Sequence, residues 1–230
     1  MKLIFIHGSG GSKEAWYYQT RHFPDAEAIN LPGHPQGELR TSIDDYVEWL
    51  RGYIHEKDYS DVVLAGHSLG GGIVLLYALK YPQDLKGIIP IGSGARLRVH
   101  PMYLEMLEKA IDDPSALEEF LKIGWELIDA ELVEVLRRRA YENGPGAFLN
   151  DMHCCDRFDI MDRVQEIKLP TLALCGSEDI MTPPKYSKYL ADRIEGAREV
   201  IVSGGTHMVF AEKPEEVNKA IKDFLESLLR

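Results

Sequence analysis

The sequence predicts an α/β fold, in which a mostly parallel central sheet of about six strands is flanked by helices, with an all-helical cap inserted after the fourth strand. Short runs rich in Ile, Val and Leu alternate with stretches whose apolar residues recur at helical spacing. These short runs are apolar without interruption, which indicates strands that are buried on both faces. One long segment, residues 96–167, carries no strand pattern and interrupts the alternation once.

Each element follows from a local pattern. The predicted strands, in chain order, are Lys2–Ile6, Glu27–Asn30, Val62–Ala65, Gly87–Ile91, Thr171–Cys175 and Glu199–Val202. The helices predicted to cover them are Ile43–His55, Leu69–Tyr81, Lys185–Ile194 and Glu215–Leu229. This alternation is typical of a doubly wound parallel sheet.

The interrupting segment is predicted to form short helices separated by Pro114, Gly124 and the run Asn143-Gly144-Pro145-Gly146. Its candidate helices are Met102–Ile111, Ser115–Trp125, Glu131–Tyr141 and Pro145–His153. Open α/β sheets bind ligands outside the carboxyl ends of their strands. We therefore expect residues 96–167 to form a cap, or lid, over that edge, inserted in a core made of residues 1–95 and 168–230. A helical flank without a lid role is the alternative.

Composition and charge restrict the partners. The 230 residues are 45% hydrophobic and 27% charged, as expected of a globular protein, and 37 acidic against 26 basic residues give a net charge of −11. Such a surface repels phosphate backbones, so we expect no nucleic-acid partner. No apolar stretch approaches the ~20 residues that span a bilayer, and the first apolar run is too short for a signal peptide. We expect no membrane partner and a cytoplasmic location.

The cysteines predict neither a disulfide framework nor a metal centre. There are three, Cys154, Cys155 and Cys175, and two of them are adjacent, where a bridge would be strained. The run His153-Cys154-Cys155-Asp156 contains metal-ligating residue types, but neighbouring residues on a helix point in different directions. No second pair stands at the spacing that zinc requires. We expect no metal and no cofactor.

The strongest chemical signal is the run Gly66-His67-Ser68-Leu69-Gly70, which lies between a predicted strand and a predicted helix. A nucleophile on so tight a turn needs small residues two positions before and after it. The turn would raise the Ser68 hydroxyl above the sheet, at a helix N-terminus whose dipole favours developing negative charge. The sequence therefore predicts Ser68 as a nucleophile.

A serine nucleophile needs a base and an orienting carboxylate, which on this architecture follow it in the order acid, then histidine. Gly176-Ser177-Glu178-Asp179 and Gly204-Gly205-Thr206-His207 each follow a predicted strand, so Asp179 and His207 should reach the same sheet edge as Ser68. We predict His207 as the base and Asp179 as its orienter, with Glu178 as the alternative acid. The other histidines occupy helical, loop or cap positions.

A loop of small residues, His7-Gly8-Ser9-Gly10-Gly11-Ser12, follows the first strand. Its backbone could approach a substrate oxygen and supply an N–H that pairs with the N–H of Leu69 in an oxyanion hole. The competing interpretation is a phosphate-binding loop. The P-loop pattern is absent, because Lys13 is one residue out of place for it, and the dinucleotide-binding glycine pattern is absent, because position 13 is lysine and not glycine.

Taken together, these motifs resemble the α/β-hydrolase superfamily over nearly the whole chain, specifically its small capped esterase and lactonase-like members. The motifs that carry the resemblance are His7-Gly8-Ser9-Gly10, Leu31-Pro32-Gly33-His34, Gly66-His67-Ser68-Leu69-Gly70-Gly71, Gly176-Ser177-Glu178-Asp179, Thr206-His207-Met208 and Glu212-Lys213-Pro214. The resemblance implies Ser68, His207 and Asp179 as a catalytic triad and the amides of Ser9 and Leu69 as oxyanion donors.

The expected activity is hydrolysis of a small-molecule carboxylic ester, with a short acyl or aryl group, through an acyl-enzyme. Gly10, His67, Trp125, Met152 and Met208 are the candidate residues of the substrate pocket. Lactonase, thioesterase or carbon–carbon bond hydrolase activity on the same triad is the alternative, as is a ligand receptor without turnover. The chain starts too late for two strands that usually come first in this superfamily. We therefore expect Glu27–Asn30 to be an edge strand that is short, covered, or used in a dimer, and the protein to be a monomer or homodimer.

Overall fold

The computed structural model describes residues 1–229 and confirms the predicted sheet. All six strands are parallel, in the spatial order β2-β1-β3-β4-β5-β6. They are β1 Lys2–Ile6, β2 Glu27–Ile29, β3 Val62–His67, β4 Leu85–Ile91, β5 Leu172–Gly176 and β6 Arg198–Val202. Because all strands run the same way, their carboxyl ends lie at one edge of the sheet.

Helices cover both faces of the sheet. They are α1 Tyr17–His22, α2 Ile43–Glu56, α3 Leu69–Lys80, α4 Pro101–Ala110, α5 Pro114–Lys122, α6 Ala130–Asp156, α7 Lys185–Arg193, α8 Val209–Glu212 and α9 Pro214–Ser227. Within β1, Ile4 and Ile6 join the core formed with α2, α3 and α7, whereas Leu3 and Phe5 join the core formed with α9. Each strand therefore contributes to two apolar layers, which explains its uninterrupted apolarity.

The helical segment after β4 has a core of its own. Apolar side chains of α4, α5 and α6 form a third cluster, separate from the two sheet faces, that contains Leu107, Leu117, Phe120 and Phe148. The later part of the segment, from Cys154 onward, packs into the main core instead.

Helix α6 is broken where two separate helices were predicted. Gly144 adopts φ 76° and ψ 162°, which is not helical. The next residue, Pro145, has no backbone N–H and disfavours the helical conformation of the residue before it. A glycine, which tolerates positive φ, therefore precedes the proline at the break.

The edge strand β2 is short, with three residues. Glu27 on it accepts hydrogen bonds from the hydroxyls of Tyr53, at 2.5 Å, and Tyr59, at 2.8 Å. A short edge with a charged side chain offers little backbone for pairing with another chain. Among residues 1–229, no helix has both the length and the apolar content to cross a membrane.

Candidate active site

Ser68 lies on the tight turn between β3 and α3. Its backbone has φ 52° and ψ −113°, a conformation that non-glycine residues rarely adopt. A Cβ atom on Gly66 would lie 2.1 Å from the carbonyl oxygen of Gly70, and one on Gly70 would lie 2.5 Å from the carbonyl oxygen of Ile6. Only glycine fits at both positions, as the sequence motif indicated. The turn places Ser68 at the N-terminus of α3.

The imidazole of His207 and the carboxylate of Asp179 are hydrogen-bonded, with 2.9 Å between Nδ1 and Oδ2. The carboxylate is buried and also accepts hydrogen bonds from the backbone of Met181 and from both the backbone and the hydroxyl of Thr182. Burial alone would raise the pKa of Asp179, but His207 and the Thr182 hydrogen bonds outweigh it and hold the pKa below its usual value. Glu178, the alternative acid, accepts from Ser177 instead.

Ser68 and His207 line the same cavity. Within residues 1–229, no hydrogen bond joins the Ser68 hydroxyl to the imidazole of His207. The bond between a nucleophile and its base is often long in an enzyme without substrate and tightens in the complex. Ser68 and His207 therefore lie in one cavity wall, and the buried carboxylate of Asp179 is joined directly to His207.

Among the backbone amides near Ser68 that donate no hydrogen bond within the described chain, two are candidates for an oxyanion hole. They belong to Ser9, in the loop after β1, and Leu69, the first residue of α3. The two loop amides that follow Ser9 are occupied, because Gly10 donates to Asp151 and Gly11 donates to the carbonyl of Gly8. The amides of Ser9 and Leu69 therefore remain available to an oxyanion.

Side chains of α6 hold the loop that carries Ser9. Asp151 Oδ2 accepts from the amide of Gly10 at 2.9 Å, and Asn143 Nδ2 donates to the carbonyls of Gly10 at 2.9 Å and Gly11 at 2.7 Å. The ring of Phe148 lies against Gly10, where a Cβ atom would approach it to 2.2 Å. Sequence reasoning missed Asn143 and Asp151. For Asp151 a signal was available: it lies three residues after Phe148, on the same face of the helix, and an acid on a buried face needs a polar partner.

Asp151 is also the centre of a buried polar network. It accepts from His34 Nε2 at 2.9 Å and from the hydroxyl of Tyr46 at 2.8 Å, and it has no solvent exposure. The second nitrogen of His34 faces the carbonyl of Pro32 at 3.2 Å. Burial lowers the pKa of His34, but the contact with Asp151 outweighs it and the pKa is raised. With an acceptor at each nitrogen, His34 is assigned as an imidazolium paired with Asp151.

His7 is buried as the neutral form. Its Nε2 accepts from the amide of Leu31 at 3.0 Å, so its proton lies on Nδ1, facing the carbonyl of Gly8 at 2.8 Å. Burial, followed by the nearby charge of His34, lowers the pKa of His7 to about 3. Its protonation therefore opposes folding.

We expect the free energy of unfolding to fall by about 3 kcal/mol between pH 6.5 and pH 4 through His7 alone. The unfolded chain binds the proton in this window and the folded chain does not, so stability decreases as pH decreases. Urea unfolding of the parent and of His7→Gln over this range measures the effect, with exposed His22→Gln as the control. Equal losses in the parent and in His7→Gln would contradict it.

His67 supports His207 through the backbone. Its Nε2 donates to the carbonyl oxygen of His207 at 2.9 Å, and the two ring centroids are 4.6 Å apart. Burial, followed by the charge of His207, lowers the pKa of His67. A neutral His67 therefore packs between the nucleophile turn and the loop that carries His207.

Two cavities meet at Ser68. The smaller cavity has a volume of about 100 Å³ and is walled mostly by apolar side chains. All five pocket residues predicted from sequence line it: Gly10, His67, Trp125, Met152 and Met208. A more open groove of about 550 Å³ lies on the other side, and Ser68, Met152, Met181 and His207 line both spaces. Within residues 1–229 no group of three or more His, Cys, Asp or Glu side chains is placed to hold a metal ion.

Comparison with known proteins identifies relatives along the whole chain. The sequence model of the alpha/beta hydrolase family matches residues 3–220. The (E)-2-((N-methylformamido)methylene)succinate hydrolase of Acinetobacter baylyi is 26% identical, over 98% of this chain and 90% of that protein. The pimeloyl-[acyl-carrier protein] methyl ester esterase of Neisseria meningitidis serogroup A is 25% identical, over 99% of this chain and 78% of that protein.

A solved structure described as a thermophilic esterase is similar in both sequence and fold. It is 29% identical, with a TM-score of 0.83 over 98% of this chain and 90% of that chain. All three of these proteins are hydrolases by name, and two of them are esterases.

Proposed function

The chain belongs to the α/β hydrolase family, and on that premise we propose that it is a serine carboxylesterase that cleaves small-molecule esters through an acyl-enzyme. The observation that carries the proposal is that His207, which lines one cavity together with Ser68, is hydrogen-bonded at 2.9 Å to the buried carboxylate of Asp179. The esterase names of two relatives support the same reaction class.

In the proposed mechanism, His207 accepts the proton of the Ser68 hydroxyl as its oxygen attacks the ester carbonyl. Asp179 holds the imidazole with Nδ1 protonated and stabilises the imidazolium that forms. The amides of Ser9 and Leu69 bind the oxyanion, and His207 then protonates the leaving alcohol. Water, activated by the same histidine, attacks the acyl-enzyme and releases the acid. Every proton in this cycle moves through His207, so no cofactor is needed.

The helical segment has two roles in this proposal. The separate apolar cluster of this segment supports the interpretation that residues 96–167 form a cap, inserted in a hydrolase domain made of residues 1–95 and 168–230. Its α6 helix supplies Phe148 and Met152 to the smaller cavity and holds the oxyanion loop through Asn143 and Asp151. The cap therefore shapes the substrate pocket and supports the catalytic backbone.

The size of the smaller cavity predicts a preference for short acyl groups. At about 100 Å³ it is smaller than the ~150 Å³ cavity that holds benzene in another protein. We expect kcat/KM for p-nitrophenyl esters to be highest at about two to four acyl carbons and to fall about tenfold or more at eight, because overpacking costs about 1–3 kcal/mol. Phe120→Ala, which removes part of the wall, should move the optimum to longer chains. An optimum at eight carbons in the parent would contradict this assignment.

The reaction class is tested by covalent labelling combined with turnover. A fluorophosphonate probe should label Ser68, located by peptide mass spectrometry, and abolish hydrolysis of p-nitrophenyl acetate in proportion to labelling. Stoichiometric labelling with no turnover of any ester, lactone or thioester would favour a ligand receptor instead. Faster turnover of a lactone or thioester than of the matched ester would move the activity to that class.

A further inference from the structure

The open groove beside Ser68 differs in charge from the rest of the protein. Arg98, His100 and Lys185 line it, and no aspartate or glutamate does. The whole chain carries 37 acidic and 26 basic residues. A groove without carboxylates, next to the nucleophile of so acidic a chain, favours an anion at this place.

The two permanent cations of the groove have no carboxylate partner. Arg98 donates to the backbone carbonyl of Asp156 at 3.0 Å, and Lys185 lies over the ring of Tyr186. Neither forms an ion pair within the described chain. Their neighbours outside the groove do, since Arg96 pairs with Asp159 at 3.8 Å and Lys188 with Asp192 at 2.9 Å. Arg98 and Lys185 therefore have no carboxylate at ion-pair distance within the described chain, so a ligand anion can pair with them.

The remaining groove wall is largely apolar or aromatic. It includes Leu97, Val99, Met102, Tyr103, Ile180 and Tyr186. Ile180 is 73% exposed and Met102 is 46% exposed, so both present apolar surface to solvent at this groove. A ligand that fits has an apolar body and an anionic end.

We propose that the groove is a subsite for the alcohol portion of the substrate and that this portion carries a carboxylate or phosphate group. The assignment rests on the proposed ester hydrolysis, which places the ester carbonyl at Ser68, where the two spaces meet. The small apolar cavity then takes the acyl group, since it would disfavour a charge. The substrate class is a short-chain ester of an anionic aryl or alkyl alcohol.

Matched esters test the subsite. We expect the parent to hydrolyse 4-acetoxybenzoate with a kcat/KM about fivefold to tenfold higher than that of neutral 4-acetoxybenzamide, as two partly exposed charge contacts allow. The double variant Arg98→Gln/Lys185→Gln should turn over both esters at the rate of the amide. The preference should decrease in 0.5 M NaCl, because salt screens exposed charges. The ratio of kcat/KM for 4-acetoxyphenyl phosphate to that for the neutral benzamide should be measured in the same way. If this ratio is larger than the ratio for 4-acetoxybenzoate, a phosphate is the favoured anion.

The control is Arg96→Gln/Lys188→Gln, which removes the same net charge at neighbouring positions that already have carboxylate partners. It should retain the preference for the anion. Equal turnover of benzoate and benzamide by the parent, or a preference that survives in Arg98→Gln/Lys185→Gln, would overturn the subsite while leaving ester hydrolysis intact.

Binding to Ser68→Ala separates the two proposals, because it needs no turnover. Calorimetry should show 4-acetoxybenzoate binding about fivefold or more tightly than the amide, and this difference should disappear when Arg98 and Lys185 are also replaced by Gln. If the parent hydrolyses neither ester, the proposed function fails, and this difference in affinity still supports or overturns the anion subsite.

Discussion

Replacing Ser68 by alanine is expected to lower kcat for p-nitrophenyl acetate by about 10⁴-fold or more, because in the proposed mechanism the hydroxyl oxygen attacks the carbonyl. Alanine keeps the Cβ atom, so it makes no new contact in the turn, where the flanking glycines already meet backbone atoms. The Ser68 hydroxyl donates no hydrogen bond within the described chain. The melting temperature should therefore stay within a few degrees of the parent.

Steady-state kinetics and thermal unfolding of the same preparation measure the two effects. Ser203→Ala, at an exposed position on the loop after β6, is the matched serine control and should retain the parent rate. A Ser68→Ala protein that turned over the ester at the parent rate would remove the basis of the acyl-enzyme mechanism. A variant that lost activity only because it unfolded would be recognised by its melting temperature.

Much of the fold could be predicted because local patterns of apolar residues indicate most of the strands and helices. The strand Lys2–Ile6 matches its predicted bounds, and β3 extends two residues beyond its own, because Gly66 and His67 carry no strand signal by themselves. The short helix α8, Val209–Glu212, was not predicted. Four residues show no helical periodicity, so only packing against the sheet defines such an element.

The candidate site likewise has one part that the local sequence specifies and another part that only the folded structure reveals. The nucleophile turn is specified within five residues, since steric limits require glycine at Gly66 and Gly70. The environment of the oxyanion loop is not local, because Asn143 and Asp151 reach it from more than a hundred positions away. Only the folded position of α6 shows that an acid assigned to the cap by sequence reasoning holds the amide of Gly10.

Asp151→Ala is expected to lower the free energy of unfolding by about 3–5 kcal/mol, the usual effect of removing one member of a buried ion pair. The change would leave the His34 imidazolium, the Tyr46 hydroxyl and the Gly10 amide buried without their common acceptor. Asp151→Asn should cost less, about 1–3 kcal/mol. Its oxygen can still accept from Tyr46, and its NH₂ group can donate to a neutral His34.

Asp151→Asn also separates catalysis from stability. Its NH₂ group would face the Gly10 amide, two donors in opposition, so the loop that carries the Ser9 amide should shift. Because a displaced oxyanion donor acts mainly in the transition state, we expect kcat to fall about 10–100-fold with little change in KM. Tyr46→Phe is the control, since it removes a different donor from the same carboxylate; it should lower stability but leave kcat near that of the parent.

The ionisation of His34 gives this prediction a pH signature. The folded protein holds the pKa of His34 above its usual value, so the stabilisation is fully present below about pH 6.5 and is lost as pH rises through the folded pKa. Urea unfolding from pH 6 to pH 9 should show this loss of stability in the parent. Asp151→Asn should not show it, because the neutral asparagine side chain does not favour the imidazolium form of His34. If the two proteins lose stability in parallel and Asp151→Asn keeps the parent kcat, then Asp151 neither carries the charge of this network nor positions the oxyanion loop.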